Sequence, residues 1–551
     1  MDADKEWMIR RFGLPEEAFP VVEQLRRQEQ EGSTACRLLR HPKDWGKAAV
    51  AAGEKGDTPL IWQHFAGVDW LQSRAMYEAE VEIAAKLSAL RTTGESIQKP
   101  MTKEEKKALF PKQGSDDDGQ YRAAAKALES PLAIITGGPG TGKTHTLARV
   151  LALYARRGWE AGQVRLAAPT GKAADQMKRA VLGSLPGLPE RFSSQRDKLA
   201  AIAEESGTLH RLLGYNPKSG RSRYGPDNPF PFSLLIIDEC SMIDIYLWRA
   251  VLRALPEGGR LLLLGDPNQL ESVGQGNIFR ELSLLSQEDG PLGKVRVHLR
   301  ESWRFRERPG IGKLARAMEE GRADEAVDLL QASREAEGDT GGGIRWVGEV
   351  EGTFSVEHLP ESLQKRLEAL ADAPTPQDAL EAQKKICLLT AQRHYTGGSR
   401  NMGEIFQEWF EQQGKIRNYP ILIQRNCPET GLRNGTPGIL NRGEEGKLTA
   451  WFSQGEEIRS FHPAVLPEYE LAWAMTIHRS QGSEYDEVVV LLPHQESPLM
   501  GRSLLYTAIT RARRQVTIFG SLDAVREAVG KESRRQTLLA AAFGVKGEDG
   551  A

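Results

Sequence analysis

Cysteine is scarce in this chain. Cys36, Cys240, Cys387 and Cys427 are scattered through 551 residues with no C-x-x-C pair. That pattern excludes a disulfide framework and a zinc site, and it suits a reducing cytoplasm. No apolar run reaches the roughly 18 residues that a membrane-spanning helix needs, and the opening MDADKEWMIRR has no apolar h-region, so neither a membrane span nor a signal peptide is expected. An excess of one charge is also missing: 73 basic residues face 75 acidic ones, for a net charge of −2. A protein that held nucleic acid by bulk electrostatics would be more basic. Any DNA or RNA contact must therefore be local and built from specific groups. Self-similarity with a period of about 20–50 residues is absent too.

What is present is the length of several domains and an ordinary globular composition, 40% hydrophobic and 27% charged. Residues 1–112 read as a helical, charge-dense domain, with apolar residues of VDWLQSRAMYEAEVEIAAKLSAL (Leu71, Tyr77, Val81, Ala84, Leu87) at helical spacing. The polar stretch KPMTKEEKKALFPKQGSDDDGQ reads as the linker that closes it. Over 113–300, short runs that are apolar throughout (LAIIT, VRLAAP, SLLIIDE, RLLLLGD) alternate with helical patterns, which indicates a parallel sheet buried on both faces in an α/β domain. A second α/β set, KICLLTAQ, EVVVLLP and QVTIFG, falls within 301–414 and 470–525. Between its parts, 415–469 turns into short alternating strands with Asn/Gly turns, a small β-barrel-like insert. Residues 526–551 form a tail.

The stretch GGPGTGKT follows the first of these strands and precedes a helix pattern, HTLARVLALYARR. Gly137, Gly138, Pro139, Gly140, Thr141 and Gly142 would wrap backbone N–H groups around phosphate oxygens at a helix N-terminus. Lys143 would reach the β- and γ-phosphates, and Thr144 would ligate Mg²⁺. Downstream, LLIIDE puts Asp238 and Glu239 at the end of a buried strand. Asp238 can hold the metal ion and Glu239 can polarise an attacking water. These two elements together describe an ATPase.

Further segments separate a motor from a switch. Gln269, in LLLLGDPNQLESVGQG, follows a strand and a Gly-Asp-Pro turn, so its amide can report the γ-phosphate. Arg304 in LRESWRF and Arg511 in LLYTAITRARR could supply the cations that neutralise transition-state charge in a site between two α/β domains; taken singly, each reads more readily as a solvated charge. The segments APTGKAADQM, TLHRLLG and AMTIHRSQGSEYDEVVV are strand-end loops rich in Thr, Ser, His, Gln and Gly. Groups of this kind contact phosphates without reading sequence, although each segment alone could be a helix cap.

In this order the segments resemble the motifs of superfamily 1 helicases in the 5′→3′ branch. They are most similar to RecD, the alpha subunit of exodeoxyribonuclease V (the RecBCD complex). The likeness spans residues 120–520. It implies two RecA-like P-loop NTPase domains, a β-hairpin insert at YNPKSGRSRYGPDNP (about 214–230), an SH3-like β insert at 415–469, and ATP with Mg²⁺ as cofactors. It implies that Gln120 recognises adenine and that Gln269, Arg304 and Arg511 couple the γ-phosphate to domain closure. Pro169, Thr170, Thr208, His210, His478, Ser480 and Gln481 lie in the segments that hold single-stranded DNA in that family. Cys240 and His145 depart from the residues usual at their positions. The implied partners are single- and double-stranded DNA ends and RecB-like and RecC-like subunits, in a bacterial, nucleoid-associated cytoplasmic protein that processes double-strand breaks. A stand-alone 5′→3′ helicase is the alternative.

Overall fold

Strands that are apolar at every position must be covered on both faces, and the computed structural model covers them with helices in two separate sheets. It describes residues 11, 14–38, 45, 49–54, 58–92, 99–111, 119–287, 289–335, 342–350, 354–394, 398–414, 416–443, 446–454, 457–493, 499–532 and 535–545. The chain divides into two compact units. The first takes residues 1–267, 271–301 and 534–551; the second takes 268–270 and 302–533. Among the described residues no helix is long and apolar enough to cross a membrane, and no group of acidic, histidine and cysteine side chains is arranged to hold a metal ion by itself.

The first unit opens with a mixed region rather than a wholly helical one. Helices Phe19–Gln30 and Arg74–Thr92 are present, but between them runs a four-stranded sheet. Its strands are β1 (Cys36–Arg37), β2 (Ala49–Ala51), β3 (Leu60–Phe65) and β4 (Val68–Ser73), in the order β1-β4-β3-β2. Leu71, expected on a helix, lies in β4, while Val81 on the helix is exposed. The reason is the turn: Ala66 and Gly67 both take left-handed φ, 52° and 71°, the two-residue geometry whose twist suits a hairpin. Ala-Gly lacks the Asn or Asp that usually advertises such a turn, so helical spacing was the stronger signal.

The P-loop sheet follows. Strands β5 (Leu132–Gly137), β6 (Val164–Ala168), β7 (Gly207–Thr208), β8 (Leu234–Ile237), β9 (Arg260–Gly265) and β10 (Arg296–Leu299) stand in the order β10-β5-β9-β8-β6-β7. All neighbours are parallel. β5, β8 and β9 are buried at every residue, as the uninterrupted apolar runs require. The stretch expected to be a linker holds a helix, Lys103–Leu109, started by a reciprocal Thr102–Glu105 capping box. Leu109 and Phe110 then bury themselves in the P-loop core, which makes this helix part of that layer. The remainder of the linker, 112–118, lies outside the described residues. At 214–230 the chain forms two one-pair antiparallel bridges, Asn216 with Arg221 and Gly225 with Asn228, rather than a laddered hairpin.

In the second unit, β11 (Ile344–Gly348) and β12 (Ile386–Thr390) precede the insert strands β13 (Asn418–Ile423), β14 (Pro437–Arg442), β15 (Leu448–Gln454), β16 (Glu457–Phe461) and β17 (Tyr469–Leu471). After them come β18 (Ala474–Thr476), β19 (Tyr485–Leu491) and β20 (Ala512–Phe519). The order β11-β20-β19-β12-β18 makes a second all-parallel sheet. The insert is an antiparallel sheet, β16-β15-β14-β13-β17, around Tyr419, Ile421, Ile423, Leu440 and Phe452. Glu470 on β17 pairs with both Arg393 and Arg479, which ties the insert to the loops at the ends of β12 and β18.

The expected C-terminal tail is largely ordered structure. Helix Leu522–Gly530 buries Val525, Ala528 and Val529 in the second unit. Residues 535–545 belong to the first unit, where Thr34 N–H donates to the Gln536 carbonyl at 2.8 Å and Arg535 donates to the Gly274 carbonyl at 2.9 Å. The end of the tail, 546–551, lies outside the described residues. Glu80, buried beneath this strap, accepts from the Thr34 hydroxyl (2.6 Å), the Gln72 amide (2.9 Å) and Leu538 N–H (3.0 Å). Desolvation by burial overrides these donors and pushes its carboxyl from 4.5 to about 7. A folded-state acid raised in this way holds its proton while the unfolded chain loses it, so its contribution to stability falls as pH rises from 4.5 to about 7. The span corresponds to roughly 3 kcal/mol. The strap should therefore open more readily at pH 8 than at pH 6, read as a lower protection of the Gln536 and Leu538 amides relative to their intrinsic exchange rate at each pH, and Glu80→Gln should flatten that dependence.

Candidate nucleotide and nucleic-acid sites

The phosphate loop is shaped by two close approaches. A side chain on Gly137 would meet the Leu299 carbonyl of the neighbouring β10 at 2.9 Å. Gly142 has φ 85° and caps helix Lys143–Arg156; a side chain there would strike the Gln120 amide nitrogen at 2.4 Å. Only glycine satisfies both constraints. The Thr141 hydroxyl donates to the Gly138 carbonyl at 2.8 Å and closes the turn. Lys143 reaches back across its own loop, with Nζ at 2.6 Å from the Gly137 carbonyl and 3.1 Å from that of Gly138. Gln120, on the first turn of helix Gly119–Glu129, stands beside this loop with its Oε1 accepting from Arg149 at 2.8 Å.

Asp238 directly follows β8 and is almost fully buried. Burial pushes its carboxyl up, against the pull of Lys143 and of the Glu239 N–H that donates to it at 2.8 Å. Glu239 takes φ 55°, a left-handed conformation that costs a branched or long residue on the order of 1–2 kcal/mol. Among the described residues only Ala66 shares it without being glycine. Strain held at a carboxylate after a buried strand is consistent with a functional demand on its direction. The Cys240 thiol is buried, and desolvation raises it well above its ordinary value, so this atypical residue is chemically quiet.

Two further groups border the loop. His298 Nδ1 lies 3.1 Å from the Thr136 hydroxyl, and burial first, then Arg296, lowers its pKa, so it is neutral near pH 7. Asp266, at the end of β9, is close enough to oppose that shift. His298 escaped the sequence reading because its place beside Thr136 comes from the pairing of β10 with β5, distant in sequence.

In the second unit, Gln269, Arg304 and Arg511 are brought together. Arg511 is buried and donates to the carbonyls of Thr507 (3.1 Å) and Ser483 (3.2 Å) and to Gln269 Oε1 (3.0 Å). Arg304 pairs with Glu484 and donates to the Thr510 carbonyl at 3.3 Å. Burial depresses the Arg304 pKa, with Glu484 opposing and Arg511 adding to the effect, so the two guanidinium groups feel each other's charge. Glu484 would be raised by burial, but Arg304, Arg513 and Arg511 together hold it below the usual carboxylate range. Glu484 was missed because an acidic residue in a loop carries no signal until three arginines converge on it.

The DNA-segment residues divide. In the first unit Thr170 and Thr208 lie just past β6 and at the end of β7, and their hydroxyls cap helices Gly171–Ser184 and Leu209–Leu213 by accepting from Ala173 N–H and Arg211 N–H. His210 is exposed and meets the exposed Tyr215 ring edge-on at 5.6 Å, while Pro169 is half-buried. In the second unit Ser480 is wholly buried with its hydroxyl given to the Ile477 carbonyl, and Gln481 holds the Leu270 carbonyl at 3.2 Å. Gln481 thereby braces the Gln269 loop, Ser480 closes its own turn, and His478 is half-buried.

A P-loop sheet followed by a second parallel sheet with clustered arginines defines a motor ATPase of the helicase class. A model described as AAA domain matches residues 116–337, and one described as UvrD-like helicase C-terminal domain matches 471–519; ATP use follows from them. The RecBCD enzyme subunit RecD of Mycobacterium tuberculosis is 34% identical across 90% of this chain and 84% of that protein. The RecD subunit of Mycolicibacterium smegmatis is 36% identical across 76% and 74%. The ATP-dependent RecD2 DNA helicase of Deinococcus radiodurans is 31% identical across 77% of this chain and 54% of that protein. The chain belongs to the RecD family of superfamily 1 helicases.

Removing Glu484 would leave Arg304 buried beside Arg511 without its carboxylate. Glu484→Ala should lower the DNA-stimulated ATPase rate by about tenfold or more and destabilise the second unit by roughly 3 kcal/mol. Steady-state kinetics and a denaturant titration check the two effects.

Proposed function

We propose that the chain is an ATP-driven 5′→3′ DNA translocase and helicase that works as the alpha subunit of a RecBCD-type helicase–nuclease, opening double-strand DNA ends beside RecB-like and RecC-like subunits. The observation that carries the motor reading is the buried Gln269–Arg511 hydrogen bond at 3.0 Å. Gln269 lies four residues past Gly265, which ends the P-loop sheet's β9, yet it is fixed in the second unit by an arginine. A sensor of the terminal phosphate built in this way hands its state to the elements holding Ser483 and Thr507. A passive nucleotide switch needs no such link. Support for the subunit reading is that the mycobacterial relatives, at 34% and 36% identity, are RecBCD enzyme subunits, against 31% identity for RecD2.

Lys143 and the loop N–H groups would bind the phosphates, and Glu239 would polarise the attacking water. Arg304 and Arg511 would stabilise the charge that develops as the phosphoryl group leaves, an effect worth on the order of 10³–10⁵ in rate. Thr144 and Asp238 would hold Mg²⁺: a hydroxyl and a carboxylate are the hard oxygen donors this ion takes while keeping waters. The burial that raises the Asp238 carboxyl is an environment a cation relieves. When bound, the ion neutralises phosphate charge. Thr170, Thr208, His210 and His478 would line the strand's path, with the exposed His210–Tyr215 pair offering faces on which bases stack. The bridged loop at 214–230 would meet the duplex as a short pin. We place the protein in the bacterial cytoplasm, with the nucleoid.

Lys143→Gln should abolish DNA-stimulated ATP hydrolysis while the circular dichroism spectrum is kept; unchanged turnover would refute the phosphate assignment. Arg511→Ala should keep nucleotide affinity within a few-fold and lower kcat by about 10³-fold. Polarity is tested by unwinding of 5′-tailed against 3′-tailed duplexes, and the subunit reading by co-purification with two large helicase–nuclease chains. A lone chain that unwinds processively and captures neither would favour the stand-alone form.

A further inference from the structure

Arg149, about two turns into the helix behind the phosphate loop, belongs to none of the roles assigned above. Its Nη1 donates to Gln120 Oε1 at 2.8 Å, and its guanidinium lies over the Phe110 ring at 4.9 Å. Phe110 packs edge-on against Tyr121 at 6.2 Å, and Lys106 sits over Tyr121 at 3.7 Å. The arginine is thus clamped between a ring and an amide, and burial depresses its pKa.

The clamp has a consequence for the amide. A guanidinium only donates, so the atom of Gln120 that faces it must be the carbonyl oxygen. The nitrogen is then turned to the other side, against Gly142, where a single added carbon would touch it at 2.4 Å. An unrestrained glutamine amide can rotate by half a turn at little cost; this one cannot without losing a bond to a charged group. The orientation matters because a purine's outer edge differs between bases. Adenine offers an amino donor beside the N7 acceptor, whereas guanine offers two acceptors. An amide with fixed carbonyl and amino positions matches adenine. The carbonyl has a second lone pair free for the base while Arg149 uses the first.

We propose that Arg149 is a positioning residue for base selectivity: by locking the Gln120 amide in one orientation, it makes the site prefer adenine over guanine nucleotides. Phe110 holds the guanidinium in place. The inference rests on Gln120 reading the base, and the test separates the two.

The full chain, activated by single-stranded DNA, is assayed for kcat/KM with ATP and with GTP. The variants are Gln120→Ala, Arg149→Met, Arg149→Lys and the double variant Gln120→Ala/Arg149→Met. Gln120→Ala and Arg149→Met should each lose about tenfold of the ATP preference, mostly through a higher KM for ATP. The double variant should lose no more than either single one, and Arg149→Lys, which can still donate to Oε1, should keep most of the preference. Where turnover is too low to measure, the affinity ratio for ADP and GDP gives the same readout. Loss of preference in Gln120→Ala with none in Arg149→Met overturns the role of Arg149 alone. An unchanged preference in Gln120→Ala overturns base reading by Gln120 and the proposal with it. Additive losses in the double variant would show that Arg149 acts elsewhere, and would also overturn it.

Discussion

A guanidinium taken out of water needs acceptors, and the second unit supplies one to each of the three nitrogens of Arg511. Its donors run to Thr507, Ser483 and Gln269, so one side chain holds a helix, a loop and the segment that continues from the P-loop sheet. Losing any of the three acceptors would leave part of a buried charge unsatisfied, at a cost of about 1–3 kcal/mol. Ser480 and Gln481 make sense in this setting. Gln481 backs the Gln269 loop through the Leu270 carbonyl, and the Ser480 hydroxyl, given to the Ile477 carbonyl, fixes the turn that presents Gln481.

The phosphate loop obeys a different constraint, close approach of backbone. β10 presses a carbonyl against Gly137, and the Gln120 amide presses on Gly142, so the loop is defined from both sides by elements outside the local motif. His298 and Asp266 crowd the same end of the sheet, and Lys143 adds its charge there. Burial disfavours a charged imidazole at His298, and Arg296 and, less strongly, Lys143 act in the same direction. The loop N–H groups and the Lys143 ammonium are the attraction for phosphate at this end of the sheet.

The Glu239 conformation and the Glu484 cluster make a complementary pair of examples. Glu239 was legible as a residue, since an acidic pair after a four-residue apolar strand is a local pattern, but its left-handed backbone was not. Glu484 was illegible as a residue, because its meaning arises only when Arg304, Arg513 and Arg511 surround it. The N-terminal region failed in a third way. A hairpin turn made by Ala66 and Gly67 carries little sequence signal, so the period of the following helix was extended backwards over β4.

The sequence by itself determined the strands that end in functional loops, the phosphate loop and the acidic pair, because these depend on the period of apolar residues and on backbone geometry within about ten residues. It also determined the family, through the order of its motifs. Only the tertiary structure decided that Gln269 meets Arg511 across 242 residues, that Arg304 meets Glu484 across 180, and that Arg149 turns the Gln120 amide. Those meetings follow from strand order and helix packing, which bring together side chains whose separation along the chain says nothing about their distance in space.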